Sequence, residues 1–179
     1  MMRHAFDKTM VTQQLASERV QWMMKLSEAA FNRGDYGGSA DAMTTAIETA
    51  PELFDVPSED NPLQLGTIAL LYHGHAMLLV SEWERAYDSI TQGVVHAPTI
   101  GGVGFDLKAL GEHYFVFRDR LDDIEALEPD DPGQRRGLFL RAYLHMFSGE
   151  LDRARELLTM HLTIYPHDEA AQYLSLIHI

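Results

Sequence analysis

The chain has 179 residues, 46% of them hydrophobic, and its 27 acidic against 14 basic side chains give a formal net charge of −13. This length suits one domain or one short repeat array. The negative charge disfavours nucleic acid as a partner, because the phosphate backbone is repelled. The absence of cysteine excludes disulfides, thiolate catalysis and cysteine-ligated metal centres.

The sequence carries no sign of a membrane or secreted protein. No run of about 18 apolar residues occurs, so we predict no membrane-spanning helix and no membrane partner. The start, MMRHAFDK, lacks the apolar stretch of a secretory signal. We therefore expect a cytoplasmic protein, which agrees with the lack of cysteine.

Apolar residues recur at steps of three and four through the first part of the chain, which predicts helices. Residues 9–33 read as one helix that ends at Gly34. A second helix follows and is stopped by Pro51. Residues 51–62 contain further turn signals and read as a loop.

The middle of the chain predicts another helix pair and then a break. Residues 63–80 and 83–97 read as antiparallel helices, and three glycines interrupt the pattern at 99–104. Residues 105–110 read as a short helical piece, and 114–127 as a helix.

The last part of the chain predicts a final helix pair and the start of one more helix. Residues 134–147 and 151–165 form the pair, and Asp168 is suited to cap the helix that follows. The apolar ending, residues 174–179, resembles a helix cut midway and also the translated read-through of a sequencing adapter. No alternating pattern typical of strands occurs.

One register recurs three times along these helices. Gly34, Ser81 and Gly149 each stand 17 residues before a proline, with a bulky residue two positions later and small residues five positions later and seven positions earlier. The matching positions, in chain order, are Ser27, Tyr36, Ser39 and Pro51; Gly74, Trp83, Ala86 and Pro98; and Ala142, Leu151, Ala154 and Pro166. Such repetition predicts a helix–turn–helix unit that stacks on its neighbours.

This register resembles the motif of the tetratricopeptide repeat family. The resemblance implies an all-α fold, a right-handed helical-repeat solenoid of antiparallel helix pairs, in a single domain over residues 1–179. The prolines are unevenly spaced, so the array is degenerate. The expected full units are residues 20–51, 67–98 and 135–166. The degenerate unit is expected at residues 99–131, and a truncated or capping helix is expected to start within residues 167–179.

The resemblance also implies that first-helix residues line an inner groove. The matching residues are Met24, Glu28, Phe31, Leu71, His75, Leu78, Phe139, Tyr143, Met146 and Phe147. Most are apolar or aromatic, which suits an amphipathic helix or an extended peptide as ligand. The alternative is that they are buried against residues 99–116 or against the N-terminal extension. The Lys, Asn and Arg clamp with which some family members hold a peptide carboxylate is missing here.

The resulting prediction is a noncatalytic adaptor that binds a helix or peptide of a protein partner, and the acidic charge favours a basic one. The acidic residues between 119 and 131 form either a solvated helix face or a docking face for that partner. The alternative function is an assembly or regulatory fragment of a larger protein, whose groove packs on another domain or on a second copy. The oligomeric state stays open.

Neither a catalytic site, a cofactor nor a metal is predicted. His73 and His75 stand two apart on a helix and point about 200° away from each other. His145 and His161 lie on paired helices, but the sequence shows no carboxylate near them. Metal-assisted hydrolysis by these histidines is therefore the least favoured hypothesis. The glycines at 99–104 follow a helix and lack the ending of a phosphate-binding loop.

Overall fold

A computed structural model describes most of the chain, namely residues 2–51, 54, 65–96, 107–126 and 131–176. For residues 2–13 and 131–132 it describes the backbone alone. The described residues contain no strand, and the all-α prediction is confirmed. The loop predicted at 51–62, apart from Pro51 and Phe54, and the glycine segment at 99–104 lie outside the described residues.

Eight α-helices occur within the described residues. They are α1 (Met2–Phe31), α2 (Tyr36–Thr49), α3 (Leu65–Leu79), α4 (Trp83–His96), α5 (Glu112–Glu125), α6 (Asp131–Phe147), α7 (Leu151–Ile164) and α8 (Glu169–Leu176). A short 3-10 helix, Leu107–Leu110, precedes α5. The helices agree with the predicted ones to within three residues at their ends, except that α1 begins at Met2 and not near residue 9.

The turns of the predicted register share one backbone conformation. Gly34, Ser81 and Gly149 have positive φ angles of 74°, 63° and 76°. The N–H of the residue after each of them donates to the carbonyl five residues back, at 3.0, 3.0 and 2.9 Å. This is the hydrogen bond of a Schellman helix end. The recurrence seen in the sequence is therefore a recurrence of backbone geometry.

Ser81 is the non-glycine residue with positive φ among the described residues, which leads to a testable prediction. The left-handed conformation costs an L-residue about 1–2 kcal/mol. Glycine removes that strain but is more flexible in the unfolded chain. We expect Ser81→Gly to raise the free energy of unfolding by about 0.5–1 kcal/mol, measured by urea denaturation. The reverse change at a matched turn, Gly34→Ser, is expected to lower it, and a less stable Ser81→Gly protein would contradict the prediction.

Small residues of the register are buried where the helices of each pair cross. In the first pair the Ser27 and Ser39 hydroxyls share a hydrogen bond of 2.8 Å. In the second pair a Cβ added to Gly74 would meet the side chain of Ile90 on α4. In the third pair Ala142 is fully buried. A larger side chain at these positions would separate the helices, so the small residues set the distance between them.

The helix pairs α1–α2, α3–α4 and α6–α7 have the most extensive contacts among the described helices, and α2 also packs on α3. Helix α5 contacts α3 and α6, while α8 contacts both α4 and α7. The C-terminal helices thus lie against α3 and α4. The larger apolar cluster is formed here, around residues such as Phe139, and a smaller one lies between α1, α2 and α3 around Met43.

Candidate functional site

Six of the ten residues expected to line a groove belong to the protein core. Leu71, Leu78, Phe139, Tyr143, Met146 and Phe147 are each at most 7% exposed. They pack in one cluster with Leu107, which precedes α5, and with Phe117 of α5. This corrects the expectation of an open groove at these positions, because α5 packs against α3, and α6 packs against α4 and α5. The alternative of burial against residues 99–116 is supported by Leu107, which belongs to that segment and to the same cluster.

The other four predicted residues lie around two adjoining pockets between α1 and α3. The first pocket, of about 150 Å³, is lined by Glu28, Phe31 and His75 together with Tyr72 and other residues. The second, of about 230 Å³, is lined by Met24 and shares Glu28 and Tyr72 with the first. We call the two pockets together the α1–α3 groove.

Aromatic side chains line the first pocket of the α1–α3 groove. Phe31, Tyr72 and Phe117 come from α1, α3 and α5. Tyr72 is 45% exposed, and the prediction missed it in favour of its buried neighbour Leu71. Tyr72 and His75 stand three apart and share one face of the helix, but so do Leu71 and His75, four apart, so spacing alone does not favour Tyr72.

A second aromatic contact holds Phe31 in place. Its ring centroid lies 4.3 Å from that of His113 on α5. Nδ1 of His113 in turn shares a hydrogen bond of 2.9 Å with the Tyr36 hydroxyl. Because three helices hold this cluster, the Phe31 side of the groove is a pre-formed wall.

His75 contributes a neutral ring to the α1–α3 groove. Its Nε2 atom shares a hydrogen bond of 2.8 Å with the Tyr143 hydroxyl. Burial lowers the pKa of His75 to about 4, so the ring carries no charge at neutral pH. Glu28 is exposed at the same pocket and supplies a negative charge. This part of the groove therefore combines apolar walls with one carboxylate.

His73, two residues before His75, is held inside the fold. Its Nδ1 atom shares a hydrogen bond of 2.7 Å with the Ser89 hydroxyl, and its Nε2 atom one of 3.1 Å with the Thr44 hydroxyl. Burial, and to a lesser extent the charge of Arg85, lowers the pKa of His73 to about 4. Both ring nitrogens are engaged, so His73 links α2, α3 and α4.

These two histidines predict how stability depends on pH. Their folded pKa of about 4 lies below the ordinary value of 6.5, so the unfolded chain binds more protons between those limits. Their contribution is complete above pH 6.5 and is lost as the pH falls towards 4. We expect the free energy of unfolding to drop over this range, by up to about 1.4 kcal/mol per pH unit for each histidine.

Urea denaturation at pH values from about 7.5 to about 4.5 measures this slope, since the range spans the ordinary pKa of histidine. His75→Gln is expected to flatten the slope, whereas His167→Gln, at an exposed position, leaves it unchanged. Parallel slopes for the wild type and His75→Gln would contradict the prediction.

A buried polar cluster surrounds Asp168. Its Oδ2 atom accepts hydrogen bonds from the Tyr87 hydroxyl at 2.9 Å, from Nε2 of His161 at 3.0 Å, and from Nε and Nη2 of Arg135 at 3.1 and 3.0 Å. Its Oδ1 atom accepts from the backbone N–H of Ala171 at 3.1 Å. The last bond confirms the predicted helix cap. The cluster joins α4, α6, α7 and α8.

The surroundings of Asp168 keep it ionised. Burial by itself raises the pKa of a carboxyl. Here hydrogen bonds from His161, a backbone N–H, Arg135 and a phenol outweigh burial and hold the pKa of Asp168 well below its usual range. Burial and the neighbouring carboxylate raise the pKa of Tyr87, so its hydroxyl remains a donor. A buried carboxylate engaged on both oxygens is suited to joining helices.

The histidines expected to lie without carboxylates both have one. Nδ1 of His145 donates to Glu150 at 2.9 Å, and His161 donates to Asp168. The expectation from the sequence was wrong on this point, because the turn after α6 and the start of α8 bring acids that the helical pattern does not place. Within the described residues, no group of three or more His, Cys, Asp or Glu side chains is arranged to hold a metal.

Two further findings concern membrane spans and similarity to other proteins. Within the described part of the chain, no helix combines the length and the apolar character needed to cross a bilayer. Comparison with protein families, with curated proteins and with solved structures finds no match. The assignment of function therefore depends on the chain's own residues.

Proposed function

We propose that this protein is a noncatalytic interaction adaptor, built from tetratricopeptide-like helix pairs, that holds a partner helix or peptide in the α1–α3 groove. The observation that carries the proposal is the position of this groove. Its main walls come from α1 and α3, the first helices of two consecutive pairs whose turns share one conformation at Gly34 and Ser81. Stacked pairs of this kind present first helices side by side as a binding surface.

The chemistry of the groove favours an apolar anchor on the partner. The aromatic side chains of Phe31 and Tyr72 line the groove with apolar surface, and its exposure to water is unfavourable. An amphipathic helix places apolar side chains three and four residues apart, which matches insertion into adjoining pockets. Glu28 and the net charge of −13 favour basic residues beside that anchor.

Selection from a displayed library of random peptides tests this proposal with no partner identified beforehand. Peptides selected on the wild-type protein are expected to be apolar with basic flanks. Their affinity for Tyr72→Asp is expected to fall at least about tenfold. The control is Phe115→Asp, since Phe115 is an exposed aromatic of α5 that lines neither pocket. Equal binding to the two variants, or no selected peptide, would count against the groove.

A further inference from the structure

A stripe of large apolar side chains lies exposed on α1. Leu15, Trp22 and Leu26 are 57%, 65% and 52% exposed. At about 100° per residue the three lie within about 40° of one another around the helix. Val20 and Ser27 of the same helix are buried, and they lie more than about 100° from the centre of the stripe. The stripe therefore faces away from the rest of the fold.

The length of α1 adds to this exposure. Helix α1 has 30 residues and its hairpin partner α2 has 14. At 1.5 Å per residue these lengths are about 45 and 21 Å, so α2 accompanies only about half of α1. A large exposed tryptophan between two leucines is the composition of an interface core, where tryptophan is enriched.

Charged residues beside the stripe are self-complementary. Glu18 and Lys25 are both exposed and lie on the same flank of the stripe, about 20° apart around the helix. Two antiparallel copies of α1, related by a two-fold axis between positions 21 and 22, bring Glu18 of each copy opposite Lys25 of the other. The same axis places the two Trp22 side chains together and each Leu26 next to Leu15 of the second copy. In a two-fold interface every such contact is made twice.

We propose that two copies of this chain associate through α1 as an antiparallel pair, with Trp22 at the two-fold axis and Glu18–Lys25 ion pairs on either side of it. The residues of the stripe line neither pocket of the α1–α3 groove. Lys25 of the ion pair, in contrast, lines the second pocket. Trp22→Ala lies outside both pockets and therefore tests the dimer separately from the proposed adaptor function.

Sedimentation equilibrium of the full chain provides the first test. The wild type is expected to show a reversible dimer with twice the mass of the chain. Trp22→Ala is expected to raise the dimer dissociation constant at least about 30-fold. Phe115→Ala is the control, since it removes an equally exposed aromatic side chain from α5 and leaves the dimer unchanged. A monomeric wild type, or a Trp22→Ala protein that associates like the wild type, would overturn the proposal.

Charge reversal tests the antiparallel register itself. Glu18→Lys and Lys25→Glu each place like charges opposite one another, and each variant alone is expected to dissociate at least about tenfold more readily. An equimolar mixture of the two restores both ion pairs in a heterodimer and is expected to associate within about threefold of the wild type. Glu156→Lys on α7 is the control for the change in net charge, with no expected effect. Single variants that associate normally, or a mixture that stays monomeric, would overturn this register.

Discussion

Asp168→Ala is expected to lower the free energy of unfolding by about 3–5 kcal/mol, because it leaves buried polar groups without their partner. The side chain is almost fully buried and receives donors from Tyr87, Arg135 and His161. Without the carboxylate, a buried imidazole N–H and a phenol lose their acceptor, and α8 loses its cap. The helices that this cluster joins, α4, α6, α7 and α8, are then expected to separate first.

Urea denaturation measures this loss of stability, and two further variants serve as comparisons. Asp152→Ala removes a fully exposed aspartate of α7 and is expected to leave the denaturation midpoint unchanged. Asp168→Asn keeps the shape and an acceptor oxygen but loses the charge, so its loss is expected to be smaller than that of Asp168→Ala. If Asp168→Ala and Asp152→Ala unfold at the same urea concentration, Asp168 does not hold these helices together.

The contribution of the Asp168 carboxylate to stability depends on pH in a defined direction. Because the folded pKa of Asp168 lies below its ordinary value of 3.8, its contribution is present above that value and is lost as the pH falls below it. This window lies below the one in which His73 and His75 act, between about pH 6.5 and 4. The two contributions are therefore separable in one pH series.

Phe139→Ala is expected to cost about 3–5 kcal/mol of stability, which separates a core role from a groove role. The Phe139 side chain is fully buried, with ring centroids 5.3 Å from Tyr87 and 6.1 Å from His161. Truncation leaves a cavity at the centre of the larger apolar cluster, and the surrounding helices can close it only in part. A groove residue facing solvent would leave the fold intact when truncated.

Phe115→Ala is the matched control for this measurement, since Phe115 is 68% exposed on α5. Phe115→Ala is expected to change the free energy of unfolding by no more than about 0.5 kcal/mol. Equal stability of the two variants would show that Phe139 is not part of the core. The comparison needs only thermal or urea unfolding of the isolated chain.

The helices and their turns were predictable from local sequence. The apolar period of three and four placed the helices, and prolines and glycines placed their ends. The positive φ at Gly34, Ser81 and Gly149 agrees with a register in which two of the three turn residues are glycine. The cap at Asp168 was predictable for the same reason, since its bond to the N–H of Ala171 spans only three residues.

The candidate site was predicted only in part. Met24, Glu28, Phe31 and His75 line the α1–α3 groove, whose position depends on two neighbouring helix pairs. Tyr72 was missed, because periodicity alone does not tell which side of an almost wholly apolar helix faces solvent. That side depends on the neighbours that pack against α3.

Local sequence was enough for the helical class, the helix ends and the recurring turns, since each depends on residues a few positions apart. The burial of Phe139 and Tyr143 and the exposure of Tyr72 became known only from the packed helices. The same holds for the hydrogen bond that Asp168 receives from the hydroxyl of Tyr87, 81 positions earlier in the chain. Burial and buried hydrogen bonds depend on how α5 to α8 pack against α3 and α4, and no local pattern encodes contacts over that separation.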